Sequence, residues 1–116
     1  MAHAEHARQA GDYEWAAFAA QQAAEKAVKG LLLSLGGEGW GDSVFRLLEG
    51  LRARIDIDPA LLDAARRLDR HDVLARYPNG YPAGLPGEYY TERDASEAID
   101  DARAIVGFCE RAFPGS

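Results

Sequence analysis

The chain has 116 residues, 47% of them apolar, which suits one domain with its own core. A net charge of −6, from 19 acids against 13 bases, argues against a protein that coats nucleic acid through bulk charge, though it leaves room for a local basic pocket. The single cysteine, Cys109, has no partner for an internal disulfide, which points to a reducing, cytoplasmic setting, and the opening residues MAHAEHARQA have no apolar run of the signal-peptide kind.

Residues 2 to 10 are alanine-rich and predicted to be helical. Gly11 and Asp12 then interrupt, with Asp12 placed to cap the next helix. From Trp15 to Leu35 the chain holds no proline and one glycine, Gly30, among Ala, Leu, Gln, Glu and Lys, residues that lose little freedom in a helix. Ala16, Ala20, Ala23, Ala27 and Leu31 recur at helical spacing as a small-residue stripe. Trp15, Phe18, Gln22 and Lys29 lie along a second stripe, and Glu25 with Lys29 forms an i,i+4 pair in the favourable order. A helix apolar over so much of its circumference belongs at the centre of a bundle. Its polar residues, Gln21, Gln22, Glu25, Lys26 and Lys29, exclude a membrane span.

Gly36 and Gly37 end this helix, and the loop GGEGWGD follows, with Trp40 expected to fold back over apolar surface. Lacking a Lys-Ser/Thr ending, the loop does not match a phosphate-binding loop. A third helix is predicted from Ser43 to about Arg54, with Val44, Leu47, Leu48 and Leu51 on one face. Asp58 and Pro59 then suit a cap and a first helical position, opening a fourth helix to about Val73 with Leu61, Leu62, Ala65 and Leu68 facing inward. Between Arg66 and Arg76 stand four arginines and two aspartates, the most basic segment of the chain.

Residues 75 to 90 read ARYPNGYPAGLPGEYY. Three prolines at spacing four, with Gly80, Gly84 and Gly87, forbid a regular element, and so long a loop in a compact domain points to a special role. Thr91 begins the last helix, Thr91 with Asp94 forming a capping box. Glu92, Asp94, Glu97, Asp100 and Asp101 crowd its start, where the helix dipole favours negative charge. Ala95, Ala98, Ile99, Ala102, Ile105, Val106, Cys109 and Phe113 make its apolar stripe, and Pro114 stops it. With no internal repeat and no period-two pattern, the predicted fold is all-α: an antiparallel up-and-down bundle of four main helices plus a short N-terminal one.

Three segments in order, AQQAAEKAVKGLLL, RYPNGYP and EYYTERDASEAI, resemble the HEPN family of prokaryotic helical domains, over about Gly11 to Phe113. The resemblance implies an up-and-down bundle, commonly dimeric, encoded beside a minimal nucleotidyltransferase. It also implies either a nucleotide- or RNA-binding module or a metal-independent RNase in a toxin–antitoxin pair. The RNase members carry an Arg, four to six residues, then His; Arg66 with His71 fits that spacing. In a continuous helix, however, those two side chains stand about 140° apart, whereas Arg67 and His71 share a face. Relatives often show Gly-His-Ser where this chain has Gly41-Asp42-Ser43.

An RNase of that kind needs a group that titrates near neutrality and a cation for the phosphate, and His71 with Arg66 supplies both types. The bland alternative is a solvated or Asp-bonded His71 at a helix end. His3 and His6 sit near the N-terminus and form no zinc pattern with it, so no metal or cofactor is implied. For ligand binding the candidates are Arg76, Tyr77, Arg67, Lys26 and Gln22: arginine for phosphate, tyrosine for base stacking, and the two α-helical polar residues as groove lining. Tyr81, Tyr89 and Tyr90 are equally suited to stacking or to covering the bundle. A homodimer, a nucleotidyltransferase partner and a nucleotide or RNA ligand, with no membrane association, complete the expectation; a purely structural partner subunit is its blandest form.

Overall fold

The computed structural model describes residues 1–72 and 90–115. These fold as helices α1 (Ala2–Gln9), α2 (Tyr13–Ser34), α3 (Val44–Leu51), α4 (Pro59–Asp69) and α5 (Glu92–Ala112), with no strand among the described residues. The expectations for Val73, Arg76, Tyr77, Tyr81 and Tyr89 lie outside them.

Local chemistry sets most of the helix ends. Asp12 accepts a hydrogen bond from the Trp15 amide, Ser43 from Arg46, and Asp58 from Ala60, with Pro59 at the first turn of α4. Thr91 and Asp94 exchange both bonds of the capping box. α2 closes with the paired bonds Gly37 to Leu32 and Gly36 to Leu33, and Gly36 takes the left-handed φ of +83° that this motif requires. A Cβ on Gly37 would stand 2.6 Å from a Leu32 methyl carbon, so any side chain there requires Leu32 to shift. Arg54 adds a cation at the same end, donating to the Leu35 carbonyl.

α2 is the central helix and packs against all four others. Its buried arc is Ala16, Ala17, Ala20, Ala24, Val28 and Leu31, against which α3, α4 and α5 set Leu47, Leu48, Leu51, Leu68, Ile99 and Ile105. The arc is turned from the stripe expected from sequence. Ala23 and Ala27 are half-buried on its flank, while Ala17 and Ala24 are fully enclosed. α1 lies on the outside, with Ala4 and Ala7 inward. Ion pairs of Glu5 with Arg103 and Arg8 with Glu92 tie it to α5.

Three expectations are corrected. α4 stops at Asp69 rather than Val73, because its last turn tightens into i to i+3 bonds: Arg70 to Arg67, His71 to Leu68, Asp72 to Asp69. α3 stops at Leu51, the residues to Ile55 forming a turn closed by bonds to the Leu51 carbonyl. Trp40 is 80% exposed, its indole N–H donated to Glu38 instead of being laid on the core. No helix of the described residues is long and apolar enough to cross a membrane.

Candidate functional site

The polar groups inside the bundle gather where α4 ends, α3 begins and α5 is about to start. Asp69, at the last turn of α4, reaches across to the start of α3. Its carboxylate accepts from Ser43 Oγ at 2.8 Å, the Val44 amide at 2.9 Å and the Phe45 amide at 3.1 Å. A side chain from another helix therefore satisfies the orphan N–H groups of α3. Gln21, fully buried in α2, donates to the Asp42 carbonyl at 3.0 Å and to Asp69 at 3.4 Å. Its own side-chain oxygen accepts from Gln22 at 2.6 Å.

One turn along α2, Glu25 is only 6% exposed. Its Oε1 has no hydrogen-bond partner among the described residues, with Lys29 Nζ 3.7 Å away. Burial pushes this carboxyl above the ordinary carboxylate value; Lys29 opposes the shift, and Asp42 and Asp72 add to it. Asp72 is 2% exposed beside this cluster. His71, half-buried, sets Nδ1 3.3 Å from the Tyr90 hydroxyl, and the two rings meet edge-on at 5.6 Å. Among the described residues no three His, Cys, Asp or Glu side chains converge to hold a metal ion.

The residues singled out from sequence fall in several places. Arg66 is exposed, pairs with Asp63 at 2.9 Å and lies 4.2 Å over the Phe45 ring, so it and His71 engage different partners. Arg67 forms a two-bond pair with Asp101 of α5, at 3.0 and 2.9 Å, which holds its guanidinium more strongly protonated. It lines a groove of about 490 Å³ between α4 and α5, together with Arg103, Phe108 and Arg111. Gln22 and Lys26 line a different groove, about 450 Å³, between α1 and α2, beside Trp15 and Phe18. The rings of Trp15 and Phe18 are 5.0 Å apart there. Arg76 and Tyr77 lie outside the described residues.

Sequence reasoning missed Gln21 and Asp69. For Gln21 a signal existed: Ala17, Gln21, Ala24 and Val28 recur at i, i+4, i+7 and i+11, one helical face. For Asp69 none did, since its partners lie 24 to 48 residues away.

Comparison with known proteins agrees with this architecture. The chain is 44% identical to TT1696 from Thermus thermophilus, with a TM-score of 0.85 over 96% of this chain and 87% of that one. It is 42% identical to ST0689, an archaeal HEPN homologue, with a TM-score of 0.77 over 93% of this chain and 84% of that one. A HEPN domain protein of Thermotoga maritima, tm0613, is 38% identical, with a TM-score of 0.75 over 94% and 86%. No curated protein matches the chain. The HEPN domain model matches residues 1–112, and the chain belongs to the HEPN family.

Proposed function

We propose that this HEPN protein is a homodimeric, cytoplasmic module that binds a nucleotide or RNA and works with a separately encoded minimal nucleotidyltransferase in a toxin–antitoxin type system. The observation that carries the reading is the His71–Tyr90 pair at the basic end of α4. There an imidazole is held against a phenol hydroxyl, three of the five positions from Arg66 to Arg70 are arginine, and the segment with Arg76 and Tyr77 begins just beyond. In a chain of net charge −6 this stretch is the richest in arginine, the side chain that suits phosphate, and it is followed in sequence by tyrosines whose rings suit a base.

The test is titration of the protein with ATP and with a short single-stranded RNA. Binding that weakens at least tenfold in Arg76→Ala, with an unchanged melting transition, supports the module. Absence of binding to either ligand overturns it and leaves a structural partner subunit. Co-purification with a nucleotidyltransferase encoded beside the gene tests the partnership.

The second reading is a metal-independent endoribonuclease using His71 with Arg66. It is favoured by the fixed His71 ring and disfavoured by the separate engagement of Arg66 with Asp63 and Phe45. RNA cleavage in the presence of EDTA that is lost in His71→Ala and in Arg66→Ala assigns this activity. Cleavage that survives His71→Ala removes that residue from the chemistry.

A further inference from the structure

The groove between α4 and α5 runs away from the His71–Tyr90 corner, toward the start of α4. Its volume, about 490 Å³, falls in the range of small-ligand sites. Leu61 and Phe108 give it an apolar wall over a floor of alanine side chains. Arg67 reaches it from α4, and Arg103 and Arg111 reach it from α5. Asp58 and Asp101 are the carboxylates in its lining. Three guanidinium groups against two carboxylates make this lining positive, in a chain whose net charge is −6.

Both carboxylates are already engaged. Asp101 accepts the two-bond contact of Arg67 at 3.0 and 2.9 Å, and Asp58 caps α4 through the Ala60 amide. Arg67 uses its Nε and one Nη2 hydrogen on Asp101, so further N–H donors remain on it. Arg103 is held by Glu5 of α1. Arg111 differs from both: it has no carboxylate partner among the described residues. Arg103, Gly107 and Arg111 stand at i, i+4 and i+8, one line along α5. Glycine is disfavoured in mid-helix, yet Gly107 occupies the middle of that line. A Cβ built on it would stand 3.2 Å from a terminal nitrogen of Arg111. The guanidinium therefore lies back along the helix, over the place of the missing side chain. The glycine leaves room for a cation that the described fold does not neutralise, one turn from Phe108.

We infer that the α4–α5 groove binds a phosphate monoester that carries a planar ring, in the size class of a nucleoside monophosphate. The phosphate takes the free guanidinium of Arg111 and the remaining donors of Arg67 and Arg103, since the planar fork of arginine matches phosphate oxygens. Several guanidinium groups suit the near-double charge of a terminal phosphate better than the single charge of a phosphodiester. The ring lies against Phe108 and Leu61. This site is a second one beside that proposed at the His71–Tyr90 corner, and it stands if that one fails.

The experiment is calorimetric titration of the full chain with AMP, inorganic phosphate and adenosine, with amide chemical shifts locating whatever binds. AMP is expected to bind with a dissociation constant of about 1 mM or tighter, more tightly than inorganic phosphate, and adenosine not to bind. The Gly107 and Phe108 amides shift with it. Arg111 is exposed, so Arg111→Ala leaves the melting transition unchanged while weakening AMP by about tenfold or more. Gly107→Ala separates a ligand role from a structural one. It raises the melting temperature, as alanine for glycine in a helix does, yet weakens AMP because the new methyl displaces the Arg111 guanidinium. No saturable AMP binding, or an affinity unchanged in Arg111→Ala, overturns the site. AMP that binds no more tightly than inorganic phosphate overturns the ligand class and leaves an adventitious ion only. AMP binding lost in Arg76→Ala and intact in Arg111→Ala places the ligand at the His71–Tyr90 corner and overturns this groove. The reverse pattern supports the groove and removes the ligand from that corner.

Discussion

Replacing Asp69 by alanine should be among the costliest changes at a position that is not fully buried. Four donors lose their acceptor: the Ser43 hydroxyl, the Val44 and Phe45 amides, and the Gln21 side chain. Loss of a capping acceptor costs about 1 kcal/mol, and loss of the charge at the positive end of α3 a further ~0.5 kcal/mol. Gln21 is fully buried, so weakening its contacts adds a desolvation cost of about 1–3 kcal/mol. The expected loss is therefore about 2.5–4.5 kcal/mol. With an unfolding entropy of about 0.25 kcal/mol/K for a chain of this size, Tm falls by roughly 15 °C. Asp69→Asn keeps the shape but turns an NH2 group toward N–H donors, so it should recover less than half of the loss. The assay is urea unfolding followed by circular dichroism, with Ser43→Ala and the double variant completing a cycle whose coupling is about 1 kcal/mol or more. A loss below 1 kcal/mol for Asp69→Ala, or additive single effects, would refute the assignment of Asp69 as the cap of α3.

Glu25→Gln should stabilise the protein in a pH-dependent way. Its folded pKa is raised, chiefly by burial, so the folded state holds the proton more tightly than the unfolded one. The associated stability is present below the ordinary carboxylate range and lost as pH rises through the raised value, so the Gln variant gains over wild type from pH 4 to pH 8. Urea midpoints at both values measure it, and a variant equally destabilised at each would count against a buried, proton-holding Glu25. Thr91→Ala removes one half of the capping box and should cost about 1 kcal/mol, with fraying seen as faster amide exchange in the first turn of α5. Leu48→Ala, at a side chain with no exposed surface, should cost about 3 kcal/mol by the same unfolding assay.

The fold was readable because most helix ends carry their own chemistry within four residues. Asp12, Ser43, Asp58-Pro59 and Thr91 with Asp94 each act on the first turn that follows them. The end of α4 was not readable in the same way. His71 and Asp72 look helical by composition, yet the closing turn tightens at a point where Asp69 is engaged with a different helix. The site was less legible still. Arg66 and His71 satisfy a spacing in the chain, but spacing says nothing of the Phe45 ring 21 residues away that holds one of them or the Tyr90 hydroxyl 19 residues away beside the other. Trp40 illustrates the opposite error, since an indole in a short glycine-rich loop can be satisfied by its neighbour Glu38 and left in solvent.

Adjacent glutamines in α2 connect these levels. Side chains at successive helical positions point about 100° apart, so Gln21 and Gln22 face different surroundings although they are neighbours in sequence. Gln21 is enclosed with Asp69 and the start of α3; Gln22 opens onto the outer face with Trp15 and Lys26. The bond between them, 2.6 Å from the Gln22 amide to the Gln21 oxygen, makes one polar chain from the outer groove through α2 to the amides of Val44 and Phe45. A buried glutamine in an alanine-rich core is costly unless every donor and acceptor is used, and here both ends are used. That continuity places the outer face of α2, the start of α3 and the turn that precedes His71 on one hydrogen-bonded chain, which packing of alanines alone would not connect.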